Sequence, residues 1–600
     1  MSDRNDLSLV ILKEHTKSFY NAPPYQEQFE IASVINQSIS VDLNLIAKAG
    51  TGIGKTIAYL IPALLSGEKI VLAAPTLNLL NQIEKTTLPQ LQQTFAKFDL
   101  NFNWVTVKGR SNYLCKNKLH DLKLTNDPEL DSFELDFIEN ISSTGDKSDL
   151  PYFEEKIWEK ISTNSDHCLG KNQCNFGKSC FYENARQESF DVNILLTTHA
   201  LYARDIASQG AILPEHKVVI FDECHELPRY LRDAFSIKIS RKSIKLLLDE
   251  LAGIGLITTP LKISLNAIDS FQIARPNDIL GTSSQSEIYH LLENLLIEIN
   301  NTSTLLNREN GGKAMILLDR FASNVEKMLE VNHDKLFLTG ETNSDDILKL
   351  IPLRPSREQN SFWQNKVSLL ISATIPFEFA KTLGIMELNY TEKDFGTAIK
   401  YDTAALCYIP ENLPQNNSLN YRSAINQQII ELLLLSKGRA LVLFTSIIAM
   451  QEAYQALPPD IGFKVFMQGE LPRERLLKKF TDDESSSLFG TYSFWQGVDV
   501  PGPTCKLVII DKIPFPHPDD RFLWEKREEW GEYAFFMVDI PYAAILLEQG
   551  IGRLLRSPDD KGVVAILDNR LVDSTYSHYF KMLLPNIPIT RNIEDLSNFL

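Results

Sequence analysis

Ala49-Gly-Thr-Gly-Ile-Gly-Lys-Thr56 stands between an apolar run at 43–48 that reads as a strand and a run starting at Lys55 and passing through Leu60 that reads as a helix. Glycines at 50, 52 and 54 let backbone N–H groups turn inward at a helix N-terminus, an arrangement that cradles phosphate oxygens. Lys55 is then placed to reach the β- and γ-phosphates of ATP, and the Thr56 hydroxyl to bind Mg²⁺. Gly50, Thr51, Gly52, Gly54, Lys55 and Thr56 are therefore the candidate nucleotide contacts. The strict pattern has Gly where this chain has Ala49. A glycine-rich turn without a ligand is the plainer reading, but a strand before it and a helix after it disfavour that.

Working outward, residues 69–74 form a second apolar run closed by Pro75, and 77–85 has helical spacing. This β-loop-α-β-α alternation predicts a parallel sheet covered by helices. The alternation stops near Gly109 and resumes near Asp191, with strands expected at 192–196 and 217–221. The acidic, serine-containing stretch 127–149 inside that break reads as a mobile loop. A second break, 232–355, is rich in Leu, Ile, Lys and Glu at helical spacing, as in 244–251 and 288–299, and contains a polar run at 300–313 that reads as a loop. It predicts a mostly helical insertion. A further strand is expected at 367–371. After about Tyr390 a second α/β half begins, with strands expected at 440–444, 488–491, 507–510 and 563–567.

The chain has 600 residues, too many for one hydrophobic core. The 44% apolar and 23% charged fractions are those of a soluble globular protein, and runs such as 57–65 are too short to span a bilayer. The acidic start lacks the basic region and apolar core of a signal peptide, so a cytoplasmic location is expected and no membrane partner. A net charge of −17 argues against a passive, nonspecific nucleic-acid binder, yet leaves room for a motor with a locally basic groove.

Four more segments supply chemistry. Val218-Val-Ile-Phe-Asp-Glu-Cys-His225 is a buried-strand pattern that delivers Asp222 and Glu223 to its end. Asp222 suits Mg²⁺ and Glu223 suits a general base on the attacking water. His225 is expected near the second half, coupling hydrolysis to movement. Ser372-Ala-Thr374 follows a strand. Gly490-Thr-Tyr-Ser-Phe-Trp-Gln-Gly-Val-Asp499 begins at the end of another. Gln549-Gly-Ile-Gly-Arg-Leu-Leu-Arg556 reads as a helix, on which Gln549, Arg553 and Arg556 share one face. Arginines brought from a second domain can neutralise charge on a departing γ-phosphate, and domain closure would bring them in.

These segments, with Tyr25-Gln-Glu-Gln-Phe29, Ala74-Pro-Thr-Leu-Asn78, Lys108-Gly-Arg-Ser-Asn-Tyr-Leu-Cys115 and Lys512-Ile-Pro-Phe-Pro516, resemble the XPD-like superfamily 2 helicases, and among them the bacterial DinG/YoaA type. The resemblance covers nearly the whole chain. It implies an ATP-dependent 5′→3′ DNA helicase acting in DNA repair. It also implies two RecA-like parallel-sheet motor domains, the first carrying an iron–sulfur insertion and a mostly helical arch. The expected division is 1–108, 191–231 and 356–390 for motor domain 1, 109–190 for the iron–sulfur insertion, 232–355 for the arch and 391–600 for motor domain 2. Gln26 is expected at the adenine and Asp499 at the nucleotide. The chain departs from the family at Lys48, where Glu is usual, at Gln496 in the Trp-Glu-Gly segment, and at Pro23, where Arg is expected. With 48 residues before the loop, no fused N-terminal nuclease is expected.

Cys115, Cys168, Cys174 and Cys180 fall in the first break, while Cys224, Cys407 and Cys505 read as small buried hydrophobes. By spacing alone the four leave a [4Fe–4S] cluster, a structural zinc and unrelated buried thiols open, although the tight pairs usual for zinc are lacking. The resemblance implies the cluster, stapling a small lobe that helps part the strands. Lys108, Arg110, Tyr113 and Lys116 beside Cys115 suggest a backbone-and-stacking surface for single-stranded DNA, and a solvated helix face explains the charges as well. Trp495 reads as core. A monomer working on single-stranded and forked DNA is expected, with room for a replication or repair protein as partner. The rival readings are a DEAH-type RNA helicase and a nucleotide-switched DNA clamp or recruitment factor without unwinding.

Overall fold

Short runs of Ile, Val, Leu and Phe, each ended by a polar turn, build the strands of two stacked-layer domains. The computed structural model describes residues 2–600 except 51, 126–135, 139–141, 151–153, 166, 257–258, 276–277, 279–281, 307–311, 331–334, 341–344, 353–362, 416–417, 472, 496–503, 519 and 556–559. In chain order the strands are β1 (Asn44–Lys48), β2 (Ile70–Ala74), β3 (Trp104–Thr106), β4 (Ile194–Thr198), β5 (Val218–Asp222), β6 (Ile237–Ser240), β7 (Lys335–Thr339), β8 (Asp346–Pro352), β9 (Val367–Ser372) and β10 (Tyr390–Asp394). Seven of these pair in parallel in the order β10-β1-β9-β5-β2-β4-β3. The second half contributes β11 (Ala405–Tyr408), β12 (Ala440–Leu443), β13 (Val465–Met467), β14 (Ser487–Gly490), β15 (Leu507–Ile510), β16 (Gly562–Ile566) and β17 (Ile589–Thr590), in the parallel order β13-β14-β12-β15-β16-β11-β17. The two parallel sheets expected from the alternation are both present.

Each parallel sheet is buried on both faces, so its strands read as continuous apolar runs. On one face of the first sheet, Leu45, Leu72, Ile194 and Ile220 pack with Tyr59 and Leu60 from the helix Lys55–Leu65. On the other face, Val71, Leu195 and Phe221 pack with Tyr113, Trp158, Phe181 and Tyr182. The cysteine-bearing insertion therefore shares the core of the first domain. The stretch 127–149 is not a loop throughout. Residues 127–135 and 139–141 lie outside those described, but 136–138 are helical with Ile138 buried, Asp146 is buried and bridges Tyr113, and Gly145 sits where a Cβ would be 2.3 Å from the Phe181 ring.

The insertion 232–355 is mostly helical and also carries a small antiparallel sheet. Helices Arg241–Gly253, Thr259–Ala274, Thr282–Thr304 and Gly312–Leu329 pack around Leu247, Leu265, Leu292 and Leu318. They lie against an antiparallel sheet, β6-β8-β7, that alternation within 237–240 and 346–352 hides among charged residues. The polar run 300–313 is helical through Thr304 and again from Gly312, with 307–311 outside the described residues.

The second domain also begins later than 391. β10 pairs with β1 from Asn44 opposite Tyr390 to Lys48 opposite Asp394, and Phe395 lies in the first domain's core. Ile399 is the first residue in the core of the second domain, so the crossover falls at 396–398. An exposed, polar strand such as Tyr-Thr-Glu-Lys-Asp gives no apolar run to read, because it is an edge strand.

Candidate active site between the two sheets

The loop after β1 turns through left-handed backbone at Gly52 (φ 78°) and Gly54 (φ 69°), conformations that favour glycine. A Cβ at Gly54 would lie 2.6 Å from Nε2 of Gln28. Gly50 donates its N–H to the Gly396 carbonyl at 2.8 Å, tying the loop to the crossover between domains. Thr51 lies outside the described residues. Lys55 and Thr56 open the following helix, as expected.

β5 delivers the acid pair. Asp222 is buried and accepts from the Tyr59 hydroxyl at 2.9 Å. Glu223 takes left-handed backbone (φ 51°, ψ 51°), a strained conformation for a non-glycine that swings its carboxylate back over the loop. There Lys55 Nζ donates to Glu223 Oε1 at 3.0 Å. Burial works against the Lys55 charge, but Glu223 and Asp222 outweigh it and hold the pKa above its ordinary value. Burial, with Glu223 alongside, pushes Asp222 up to about 6 against the pull of Lys55. Glu223 goes the other way: burial opposes its charge, but Lys55 and His225 hold it well below the usual carboxylate range.

A relay leads from Glu223 across to the second domain. Ser372 donates its hydroxyl to Glu223 Oε2 at 2.9 Å, and His225 Nδ1 lies 2.7 Å from the same hydroxyl. The other imidazole nitrogen is 2.9 Å from the side-chain amide of Gln549, on the helix Ile540–Ile551 of the second domain. Burial disfavours the His225 charge, but Glu223 and Glu226 overcome it and raise the pKa to about 9. An imidazolium donating at both nitrogens fits this chain of partners once the Gln549 amide is turned to present its oxygen, because the amide nitrogen that faces Nε2 is itself a donor. Beside it, Lys48 pairs across the cleft with Glu548 at 3.8 Å. Thus the departure from the family's Glu at 48 makes a contact between domains.

Three expectations need correction. Gln26 is exposed and reaches Glu30 at 3.4 Å; Gln28 is the buried glutamine at the loop, accepting from Tyr25 N–H at 3.0 Å and donating to the Gly54 carbonyl at 3.5 Å. The signal was present in the alternation of exposed and buried positions at a helix start, and the register of that helix decided it. The helix bearing Gln549 ends at Ile551 rather than running to 556, because Gly552 caps it, so Gln549 and Arg553 do not share a helical face. Arg553 Nε donates to the Trp495 carbonyl at 2.9 Å within its own domain. Arg556 and Asp499 lie outside the described residues.

The third correction concerns the basic segment beside Cys115. Lys108 is only 1% exposed and forms an ion pair with Asp146 at 2.8 Å, with Ser148 and Asn81 as further partners. Tyr113 is buried, its hydroxyl accepting from the Lys108 N–H at 3.1 Å. Arg110 pairs with Glu183 at 2.8 Å and lies 4.0 Å from the Tyr182 ring, and Lys116 lies over the Phe181 ring at 4.6 Å. Lys108 thus ties the insertion to the motor domain and is buried with Tyr113, while Arg110 and Lys116 pack within the insertion. Charge density in sequence cannot distinguish a buried tie from a solvated face.

Cys115, Cys168, Cys174 and Cys180 do converge, lining one small pocket with Tyr182 and Phe176. Among the described residues no three His, Cys, Asp or Glu side chains stand close enough to hold a single metal ion. The four thiols share the lining of this pocket. Hydrogen-bond donors face the sulfurs: Gly170 N–H and Arg110 Nη1 each lie 3.4 Å from Cys168 Sγ. Gly177 is required at the turn, since a Cβ would come within 2.0 Å of the Lys171 carbonyl oxygen. The donor set and the N–H···S contacts fit an iron–sulfur group.

A phosphate-type loop, an acid pair and a glutamine from a facing domain, carried on two parallel sheets, define a two-domain nucleotide-driven motor of the helicase class. The sequence pattern of the DEAD/DEAH box helicases matches residues 30–126, that named DEAD_2 matches 80–244, and that of the helicase C-terminal domain matches 429–587. The ATP-dependent DNA helicase YoaA of Escherichia coli (strain K12) is 30% identical over 628 residues, covering 96% of this chain and 96% of the relative. The ATP-dependent helicase DinG of Mycobacterium tuberculosis (strain ATCC 25618 / H37Rv) is 29% identical, covering 94% of this chain and 93% of its own. A solved structure named XPD_Helicase has the same fold, with a TM-score of 0.60 at 15% identity over 94% of this chain and 99% of that one. The chain belongs to the DinG/YoaA family of ATP-dependent DNA helicases.

Lys108→Met leaves Asp146 buried and unpaired and should cost about 3–5 kcal/mol in denaturant unfolding of the first domain, with the double replacement Lys108→Met, Asp146→Leu recovering most of it. For His225 the folded pKa of about 9 exceeds the ordinary 6.5. Its contribution to stability is therefore full below pH 6.5 and lost as pH rises through 9. The melting-temperature gap between wild type and His225→Asn should be widest below pH 6.5 and close above pH 9.

Proposed function

We propose that this chain uses ATP hydrolysis to translocate 5′→3′ on single-stranded DNA and to unwind forked or damaged duplexes in repair or replication. The observation that carries the reading is the contact between His225 and Gln549, which joins the acid pair of one domain to the other domain. Lys55 rests on Glu223 at 3.0 Å. A γ-phosphate arriving in the glycine loop competes for Lys55 and releases Glu223 to accept a proton from the attacking water. Asp222 and Thr56 would hold Mg²⁺, which supplies positive charge to the β- and γ-phosphates. Gln28 is the side chain positioned to read the loop's state, since it already bonds Gly54.

Domain closure then brings Arg553 from the Trp495 carbonyl toward the γ-phosphate, joined by Arg556, to stabilise charge on the phosphoryl group in transfer. On hydrolysis these contacts weaken, and the relay through Ser372, His225 and Gln549 passes the change to the second sheet. We further propose that residues 109–190 hold a [4Fe–4S] cluster through Cys115, Cys168, Cys174 and Cys180, and that 232–355 form an arch beside it. When bound, the cluster would supply cross-links among the segments that carry the four cysteines. No single helix among the described residues is long and apolar enough to cross a membrane. We place the chain in the cytoplasm, where its DNA substrate is, and read it as a monomer.

Lys55→Ala should abolish ATP turnover stimulated by single-stranded DNA; undiminished turnover in a coupled assay would refute the site. On forks with a 5′ or a 3′ tail, strand displacement should require the 5′ tail, and equal displacement of RNA forks would favour an RNA helicase. Anaerobically purified protein should be brown, and Cys168→Ser should lose the visible absorption and impair unwinding more than ATP binding. A colourless, zinc-loaded wild type would remove the cluster from the reading.

A further inference from the structure

The chain passes from the first motor domain to the second at 396–398, and this crossover lies against the phosphate loop. The Gly50 N–H donates to the Gly396 carbonyl at 2.8 Å, and a Cβ at Gly50 would stand 2.5 Å from that of Thr397. With the hinge so near the loop, the backbone alone does not fix how the helix Ile540–Ile551 sits over the site. Side chains that bridge the cleft must do so. Gln549 is one, 2.9 Å from His225. Glu548 is another, 3.8 Å from Lys48. Lys48 is the residue before the loop, and Glu548 is the residue before Gln549. The charged pair therefore borders the relay without entering its chemistry.

Charges alternate along this border. Asp394 on β10 stands in register with Lys48 on β1, and its carboxylate accepts the Gly396 N–H at 2.8 Å. Lys48 faces Glu548 across the cleft. Burial pushes the Glu548 carboxyl up and Asp394 adds to that, while Lys48 and His225 favour its charged form. The order from β10 to the relay is thus acid, base, acid, base. A carboxylate in place of the Lys48 ammonium, the usual group at this position in the family, would set three acids side by side. The pair is partly exposed, with 39% and 23% of its side chains accessible, so it cannot hold two domains together. It suits a smaller task. An exposed ion pair shifts an equilibrium by up to about fivefold, enough to bias a hinge that is near balance.

We propose that Lys48 and Glu548 are positioning residues for ATP turnover, their attraction across the cleft favouring the closed register in which Gln549 meets His225. Neither acts on the nucleotide itself. The proposal rests on the reading that domain closure completes the ATP site. If closure follows ATP binding, weakening it lowers kcat where the open form predominates and raises KM where the closed form does. The ratio kcat/KM falls by the same factor in both cases.

The test is kcat/KM for ATP in the full-length protein at a saturating thymidine oligonucleotide, with the melting temperature measured alongside. Lys48→Glu and Glu548→Lys each replace attraction by repulsion and should lower kcat/KM about three- to fivefold, with the melting temperature unchanged. The exchange Lys48→Glu, Glu548→Lys sets opposite charges across the cleft again and should return kcat/KM to within about twofold of wild type. Wild-type kcat/KM in both single variants would overturn the proposal, as would an exchange variant no better than the worse single one. A loss that tracks a lowered melting temperature and persists in the exchange would make the pair merely structural, and would overturn it too. Undiminished turnover in Lys55→Ala would instead sink the ATP-site reading itself, so the two failures are distinguishable.

Discussion

Lys55 and Glu223 stand 168 residues apart in the chain and 3.0 Å apart in space. Much of the first domain can be understood as the means of holding that distance. β1 and β5 are separated in the sheet by β9 alone, so the turns at their ends face one another across one strand. The left-handed turn at Glu223 and the glycines of the loop bring the two charges into register. Burial makes the pair decisive. A lone ammonium or carboxylate in this cleft would be costly, and each is held charged by the other. The strain at Glu223 persists because Ser372, at the end of β9, anchors the same carboxylate from the opposite side.

That anchorage extends the site beyond one domain. Ser372 can donate to Glu223 while accepting from His225 because the imidazole is held protonated by Glu223 and Glu226. The second nitrogen then addresses Gln549. Glu223, Ser372, His225 and Gln549, in contact one after another, connect the strand ends of one sheet to a helix lying on the other. The Lys48–Glu548 pair lies beside this connection and is partly exposed, so it contributes little energy by itself. Its value is in orientation.

The insertions follow a different logic. The insertion 232–355 has its own core around Leu247, Leu265, Leu292 and Leu318. The cysteine segment shares the core of the first domain through Tyr113, Trp158 and Phe181, and Lys108 ties it to Asp146. One insertion is therefore a separately packed unit on β6 and β8, the other an outgrowth of the sheet's own face.

What the sequence determined by itself was everything that depends on local spacing. The phosphate loop, the acid pair at the end of β5, the parallel alternation and the four clustered cysteines all arise from residues close in the chain, where backbone geometry leaves few options. The misreadings share one cause. Whether Lys108 meets water or Asp146, whether Gln26 or Gln28 faces the loop, whether Arg553 continues a helix or turns back to Trp495, and whether the polar strand β10 joins a sheet depend on partners distant in sequence. A charged side chain or an edge strand carries no apolar pattern to announce its burial or its neighbour. Only the packed tertiary structure, by bringing a specific opposite charge or carbonyl within hydrogen-bond reach, decided those.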